Sequence, residues 1–166
     1  MLRSSTFLVA LTFTAASFAG DLPDPKLTPG VTNPQVTQNN INANICKKGW
    51  IKTVRPQVQF TDSLKVKQIA AFHYTDRNPA HYEEDHLIAL ELGGATQNEK
   101  NLWPQPRTGQ WSAKMKDNLE SVLNKRVCSG KMTLDDAQKT IRTDWTAAYK
   151  KYVPVAKTRK AGRPTG

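Results

Sequence analysis

The chain has 166 residues, of which 38% are hydrophobic, and its 24 Lys and Arg residues outnumber 14 Asp and Glu residues. That length excludes a pair of full-sized enzyme domains, and that composition excludes a disordered polymer or a fibrous repeat. A formal net charge of +10 favours a polyanionic partner, which can be a nucleic acid, an acidic membrane surface or an anionic envelope polymer.

Residues 1–19 have the pattern of a secretory signal peptide. Arg3 gives a positive start, an apolar stretch runs from Phe7 to Ala15, and small residues surround Ala19. The apolar stretch is shorter than the roughly 20 residues that span a bilayer, so a membrane anchor is the less favoured interpretation. We expect cleavage near Ala19, a secreted or periplasmic protein, and no stable membrane insertion.

Export would place the two cysteines, Cys46 and Cys128, in an oxidising compartment. An even cysteine count in such a compartment predicts a disulfide, and two unrelated buried thiols are the alternative. Two cysteines are too few for a metal site built from cysteine alone.

Composition divides the rest of the chain into a leader, a domain and a tail. Residues 20–44 are rich in Pro, Thr, Asn and Gln and lack hydrophobic periodicity, which predicts a flexible leader. Residues 45–153 carry the hydrophobic patterns of a folded domain. Residues 154–166 contain basic residues and no acid, which predicts a basic disordered tail that either grips phosphates or is merely solvated.

The first part of the domain predicts strand and then helix. The segment from Trp50 to Phe60 has β-branched and aromatic residues and is interrupted by Pro56, which indicates one or two short strands. The segment from Leu64 to Tyr74 has apolar residues on one side of a helix.

Two helices are predicted near the C-terminus. Apolar residues recur at helical spacing from Ser112 to Val127. A second helix is predicted to start at Thr133, whose hydroxyl can cap the amide of Asp136. Its apolar stripe consists of Ile141, Trp145, Ala148 and Tyr152.

The most distinctive polar residues lie between these helical segments. Asp85 and His86 precede an apolar run, Leu87 to Leu92, which predicts a short strand. Gly93-Gly94 can form a turn, and Asn101 to Trp103 can return as the partner strand. Ionisable side chains at the mouth of an apolar hairpin cost free energy unless they are solvated, paired or bound to a metal. Purely structural roles for these side chains are the alternative.

These residues resemble the HNH endonuclease motif, in which Asp-His, Gly-Gly and Asn-Leu mark a ββα-metal finger. The stretch from Tyr82 to Gln105, together with Lys116-Asp117, is similar to small exported bacterial HNH-like proteins. The resemblance covers most of residues 45–153. It implies an α+β domain around a ββα-metal finger, with additional C-terminal helices and one disulfide.

The resemblance also implies roles for single residues. His86 would be the general base on a water molecule, Asp85 a ligand to one divalent ion, and Asn101 the residue that holds the loop and orients the imidazole. The ion could be Mg²⁺, Mn²⁺, Ni²⁺ or Zn²⁺. The neighbouring carboxylates of Glu83, Glu84 and Asp85 would favour the protonated imidazolium, and a bound divalent ion would offset that effect.

Two positions depart from the family pattern. Ala89 stands where a proline is common. The third metal ligand is expected near residues 110–114, where the chain offers Gln110 and Ser112 as oxygen donors. Neither side chain is a strong ligand for Zn²⁺ or Mg²⁺.

The predicted function is metal-dependent cleavage of nucleic acid, with DNA the expected substrate and little sequence preference. Basic side chains would contact phosphates, which carry no sequence information. Alternatives are a non-catalytic nucleic-acid-binding module on a degenerate HNH scaffold and a basic binder of anionic envelope polymers. The candidate phosphate-binding residues are Arg107, Lys114 and Lys116, within a wider basic set that includes Lys47, Lys48, Lys52 and Arg55.

Overall fold

A computed structural model describes residues 22–154. The expected signal peptide and nearly all of the basic tail lie outside the described residues. Within residues 22–154, no helix combines the length and the apolar character that crossing a membrane requires.

The described part of the chain forms four α-helices and a two-stranded antiparallel sheet. In chain order these are α1 (Trp50–Val54), α2 (Val58–Ala71), β1 (Tyr82–His86), β2 (Leu102–Pro106), α3 (Ala113–Cys128) and α4 (Leu134–Tyr152). Short 3₁₀ segments lie at Gln38–Ala43, Pro79–His81, Leu90–Leu92 and Glu99–Asn101. The predicted α+β class is therefore confirmed.

The sheet is a hairpin whose register pairs Tyr82 with Pro106 and His86 with Leu102. The return strand was predicted close to its observed place. The predicted strand over residues 87–92 is wrong, because β1 ends at His86 and the chain then bends into a 3₁₀ turn. The Asn101 side chain takes up the backbone N–H and C=O of Ile88, so no partner strand is needed there.

The strand predicted between Trp50 and Phe60 is also wrong, because this segment forms α1 and the start of α2. Pro56 lies at the break between the two helices, where it cannot continue the first one. Strand propensity depends on a sheet face to pack on, and here α2 instead packs across both strands of the hairpin. The predicted helix from Leu64 is present within α2, with Leu64 and Ile69 buried.

The two C-terminal helices are confirmed. Thr133 Oγ1 accepts a hydrogen bond of 3.1 Å from the amide of Asp136 at the start of α4, as predicted. Asp144 interrupts α4 with extended backbone, and its carboxylate accepts hydrogen bonds from the amides of Thr146 and Ala147. Asp144 therefore caps the second half of a kinked helix.

The core lies between α3, α4 and the loop after β1. Its buried side chains include Ile88, Leu92, Trp103, Leu119, Leu123, Val127, Ile141 and Trp145. A disulfide joins Cys46 to Cys128 at the end of α3, which confirms the predicted pairing.

The flexible leader predicted for residues 20–44 is wrong for residues 28–44. Thr28, Val36 and Ile41 are buried, and Thr28 Oγ1 donates a hydrogen bond of 3.3 Å to the carbonyl of Leu102. Apart from its 3₁₀ segment Gln38–Ala43, this stretch lies over the hairpin loop in irregular conformation, so its few apolar residues show no helical or strand period. Its backbone groups bond to the loop instead, for example from the Gly30 amide to the Lys100 carbonyl.

Candidate active site

His86 ends β1, and its side chain is oriented by one hydrogen bond. The residue is 7% exposed, and Nε2 lies 2.9 Å from the carbonyl oxygen of Thr96. Because a carbonyl oxygen only accepts, Nε2 carries the proton in the neutral ring. Nδ1 then has the free lone pair, and no residue in the described range hydrogen-bonds to it. In this neutral tautomer, Nδ1 is the nitrogen that can accept a proton.

Asn101 holds the loop that follows His86. Its side chain is fully buried, and Oδ1 accepts hydrogen bonds from the amides of Val31 (3.2 Å) and Ile88 (3.0 Å). Nδ2 donates to the carbonyl oxygens of Ile88 (3.0 Å) and Ala95 (3.1 Å). The loop-holding contacts expected of Asn101 are therefore present.

Gly94 lets two parts of the same loop come together. A Cβ atom at Gly94 would lie 1.7 Å from the carbonyl oxygen of Ile88, a distance that no side chain tolerates. The preceding Gly93 has φ of 72°, the left-handed region that glycine adopts readily. The Gly-Gly pair therefore serves a positive φ at one residue and a close backbone approach at the other.

Lys116 anchors α3 to the end of β1. Its side chain is fully buried, and Nζ donates hydrogen bonds to Asp85 Oδ2 (2.7 Å), to the carbonyl oxygen of His86 (2.6 Å) and to the carboxylate of Glu120. The predicted phosphate contact is wrong for Lys116, since α3 turns this side chain inward. Burial would lower the pKa of Lys116, but the carboxylates of Asp85 and Glu120 raise it above its ordinary value.

The donors around Asp85 do not fit a divalent ion. Lys116 already occupies Asp85 Oδ2, and a metal ion there would meet the ammonium charge at close range. Gln110 is exposed, Ser112 is buried at the start of α3, and no contact joins either one to Asp85 in the described part of the chain. Residues 22–154 also contain no group of three His, Cys, Asp or Glu side chains that could hold a metal.

His86 lines a cavity of about 580 Å³ between β1, α3 and the segment that joins α1 to α2. Arg55 and Arg107 are the cations in its wall, and Arg107 is paired with Glu83 at 2.8 Å. The wall is otherwise rich in carboxyl groups, namely those of Asp62, Glu83, Glu84, Asp85, Glu91, Asp117 and Glu120. We call this space the His86 cavity.

The protonation states in the His86 cavity follow mainly from burial. Burial lowers the pKa of His86, and this outweighs the opposing effects of the Thr96 carbonyl and the Asp85 carboxylate. The imidazolium expected from the neighbouring carboxylates is therefore not the favoured form, and the charges of Lys116 and Arg55 lower the pKa of His86 further. Burial, with Asp85 adding to it, raises the pKa of Glu84 to about 8, so this acid is mostly protonated at neutral pH.

A second concavity, of about 770 Å³, lies over the disulfide. Its wall carries one acid, Glu91, and five cations. We call it the basic groove, and its cations are Lys47, Lys48, Lys52, Arg55 and Lys125. Arg55 and Glu91 belong to both walls, so the basic groove adjoins the His86 cavity.

The remaining candidates lie apart from this groove. Arg107 and Lys114 are exposed, the first after β2 and the second in the first turn of α3. Lys125 is not among the phosphate-binding residues predicted from the sequence. Its position three residues before Cys128 was an available signal, since residues i and i+3 share a helix face.

Comparisons with known proteins found no matching family model, no matching curated protein and no matching solved structure. The function is therefore inferred from the geometry of the His86 cavity and the basic groove.

Proposed function

We propose that the protein is an exported, HNH-like endonuclease that hydrolyses phosphodiester bonds of nucleic acid, with DNA as the expected substrate. The observation that carries the proposal is His86 at the end of a hairpin strand. Its Nε2 is hydrogen-bonded to a carbonyl oxygen, its Nδ1 has no hydrogen-bond partner among the described residues, and His86 lines a cavity. The order β1, β2, α3 and the Asn101 contacts are in keeping with a ββα finger.

In the proposed reaction, His86 Nδ1 takes a proton from a water molecule whose oxygen attacks phosphorus. The bond from phosphorus to the leaving oxygen breaks, and that oxygen takes a proton from solvent. Arg55 and Arg107 are the cations placed to offset the phosphate charge, and a guanidinium can bind two phosphate oxygens at once. No step passes through a divalent ion, since the ammonium of Lys116 is paired with the Asp85 carboxylate that would bind it.

The basic groove is the proposed binding surface for the nucleic acid substrate. Its cations lie on exposed side chains next to the His86 cavity, whose charged lining residues are mostly acidic. A nucleic acid backbone can be held in the groove while one phosphate reaches Arg55 at the junction of the two spaces. Contacts of this kind are electrostatic and depend little on sequence.

Export is part of the proposal and rests on the signal-peptide pattern of residues 1–19. The disulfide between Cys46 and Cys128 is compatible with an oxidising compartment.

The test is cleavage of plasmid DNA and of a structured RNA by the purified mature protein. His86→Ala should lose about 10² to 10⁴ in rate while binding persists, because the base is removed and the groove is untouched. His81→Ala is the matched control, since this exposed histidine pairs with Asp76 away from the cavity. Equal cleavage by wild type and His86→Ala would refute the proposed base.

A non-catalytic nucleic-acid-binding module is the second candidate function. The pairing of Asp85 with Lys116 favours it, because the residue expected to bind a metal is already engaged. This candidate predicts salt-sensitive DNA binding without cleavage in Mg²⁺, Mn²⁺, Ni²⁺, Zn²⁺ or a chelator.

A further inference from the structure

The ammonium of Lys116 lies in a cradle of three oxygen atoms. These belong to the Asp85 carboxylate, the His86 carbonyl and the Glu120 carboxylate. An ammonium has three N–H donors, so this cradle satisfies all of them. Because the side chain is fully buried, none of its protons is available to a ligand in the cavity.

The cradle has the composition of a hard-cation site. Two carboxylates and a backbone carbonyl are oxygen ligands typical of Mg²⁺ or Ca²⁺ in proteins. One of the carboxylates is that of Asp85, beside the proposed base His86. A divalent ion on Asp85 Oδ2 would lie close to the ammonium of Lys116, and two cations repel each other strongly in a buried place.

We propose that Lys116 takes the place of a divalent ion in this site, so that the wild-type protein holds no metal there. The ammonium offsets the charge of Asp85 and fixes the carbonyl of His86, which makes Lys116 a positioning residue. The catalytic consequence, cleavage that resists chelators, rests on the proposed function. The occupancy of the cradle does not rest on it.

Thermal unfolding of the wild-type protein tests the occupancy directly. Its melting temperature should be the same in a chelator as in Mg²⁺, Mn²⁺, Ca²⁺ or Zn²⁺ at about 1 mM, since no ion binds the folded state in the cradle. A saturable rise that Asp85→Asn abolishes would overturn the proposal. The wild-type comparison between chelator and metal needs no variant, and a folded Asp85→Asn variant is needed only to place a metal response in the cradle.

Removal of the lysine tests whether the cradle is a cation site. Lys116→Ala leaves the three oxygens around a vacated volume. At about 100 times its dissociation constant, a divalent ion there should raise the melting temperature by about 5–10 °C. Lys114→Ala, an exposed lysine of the same helix, is the matched control and should gain nothing. A folded Lys116→Ala variant without any metal response would contradict the proposal.

Cleavage assays separate this inference from the proposed function. Chelator-resistant cleavage that His86→Ala removes would support both. Absence of cleavage, with an unresponsive wild-type melting temperature and a responsive Lys116→Ala variant, would refute the enzyme and leave Lys116 as the cation of the cradle. Metal-dependent cleavage lost in Asp85→Asn would overturn the inference and keep the enzyme.

Discussion

Two buried polar side chains hold the backbone around His86, and they do so by different physics. Asn101 is neutral and bonds four backbone groups. Lys116 is charged and bonds two carboxylates and one carbonyl. The amide fixes the loop after the strand, and the ammonium fixes the helix against the strand's end.

The two side chains differ in the partners that they need and in how those partners respond to pH. An amide has donors and acceptors of its own, so it can satisfy bent backbone without any charged partner. A buried ammonium needs nearby negative charge, and removing either side leaves an uncompensated ion. The Asn101 network should therefore be insensitive to pH, whereas the Lys116 cluster should depend on the protonation of its acids.

The largest loss of stability is expected for Asn101→Ala. The change leaves two amides and two carbonyls without their partner, and each buried unsatisfied group costs about 1–3 kcal/mol. With partial relaxation, we expect a loss of about 4 kcal/mol in the free energy of unfolding, measured by urea denaturation. Asn98→Ala, which removes one exposed turn contact, is the control and should cost about 1 kcal/mol or less.

Lys116→Met should cost somewhat less, about 3 kcal/mol at most, because Asp85 keeps some solvent contact. Burial raises the pKa of Glu120, and Lys116 opposes that shift. Without the lysine, the pKa of Glu120 in the folded state should rise further above its unfolded value. The variant should therefore show its full loss in the free energy of unfolding at pH values above the folded-state pKa of Glu120. The loss should shrink as the pH falls below that pKa. A cost independent of pH would contradict an ionic cluster.

The smallest effect is expected for an exposed polar contact, the cap at Asp144. Asp144→Ala should cost about 1 kcal/mol, as is usual for a helix cap. Hydrogen bonds from Ala147 and Thr146 hold the pKa of Asp144 below its ordinary value. The Asp144 carboxylate should therefore contribute fully to the free energy of unfolding above its pKa in the unfolded chain. This contribution should be lost as the pH falls through its pKa in the folded protein. Asp144→Asn keeps an acceptor oxygen and should remove this pH dependence, which chemical denaturation at several pH values would show.

Local patterns predicted much of this molecule from sequence. The C-terminal helices follow from apolar spacing and a Thr133 cap, which act within a few residues. The hairpin return and the Asn101 contacts to Ile88 and Ala95 depend on residues close together in the chain, whereas the Asn101 contact to the Val31 amide joins residues 70 positions apart. The disulfide pairing required only two cysteines and the expectation of export.

Contacts between segments that are far apart in the chain determine the features that local patterns did not predict. Residues 50–60 form helices because α2 packs on the hairpin instead of adding a strand to it. Residues 28–44 are ordered by backbone bonds to a loop some sixty residues away, which no local period records. Lys116 looks like a surface lysine in the sequence. Only the packing of α3 against the end of β1 buries it among carboxylates, and this burial changes a candidate metal site into one held by an internal ammonium.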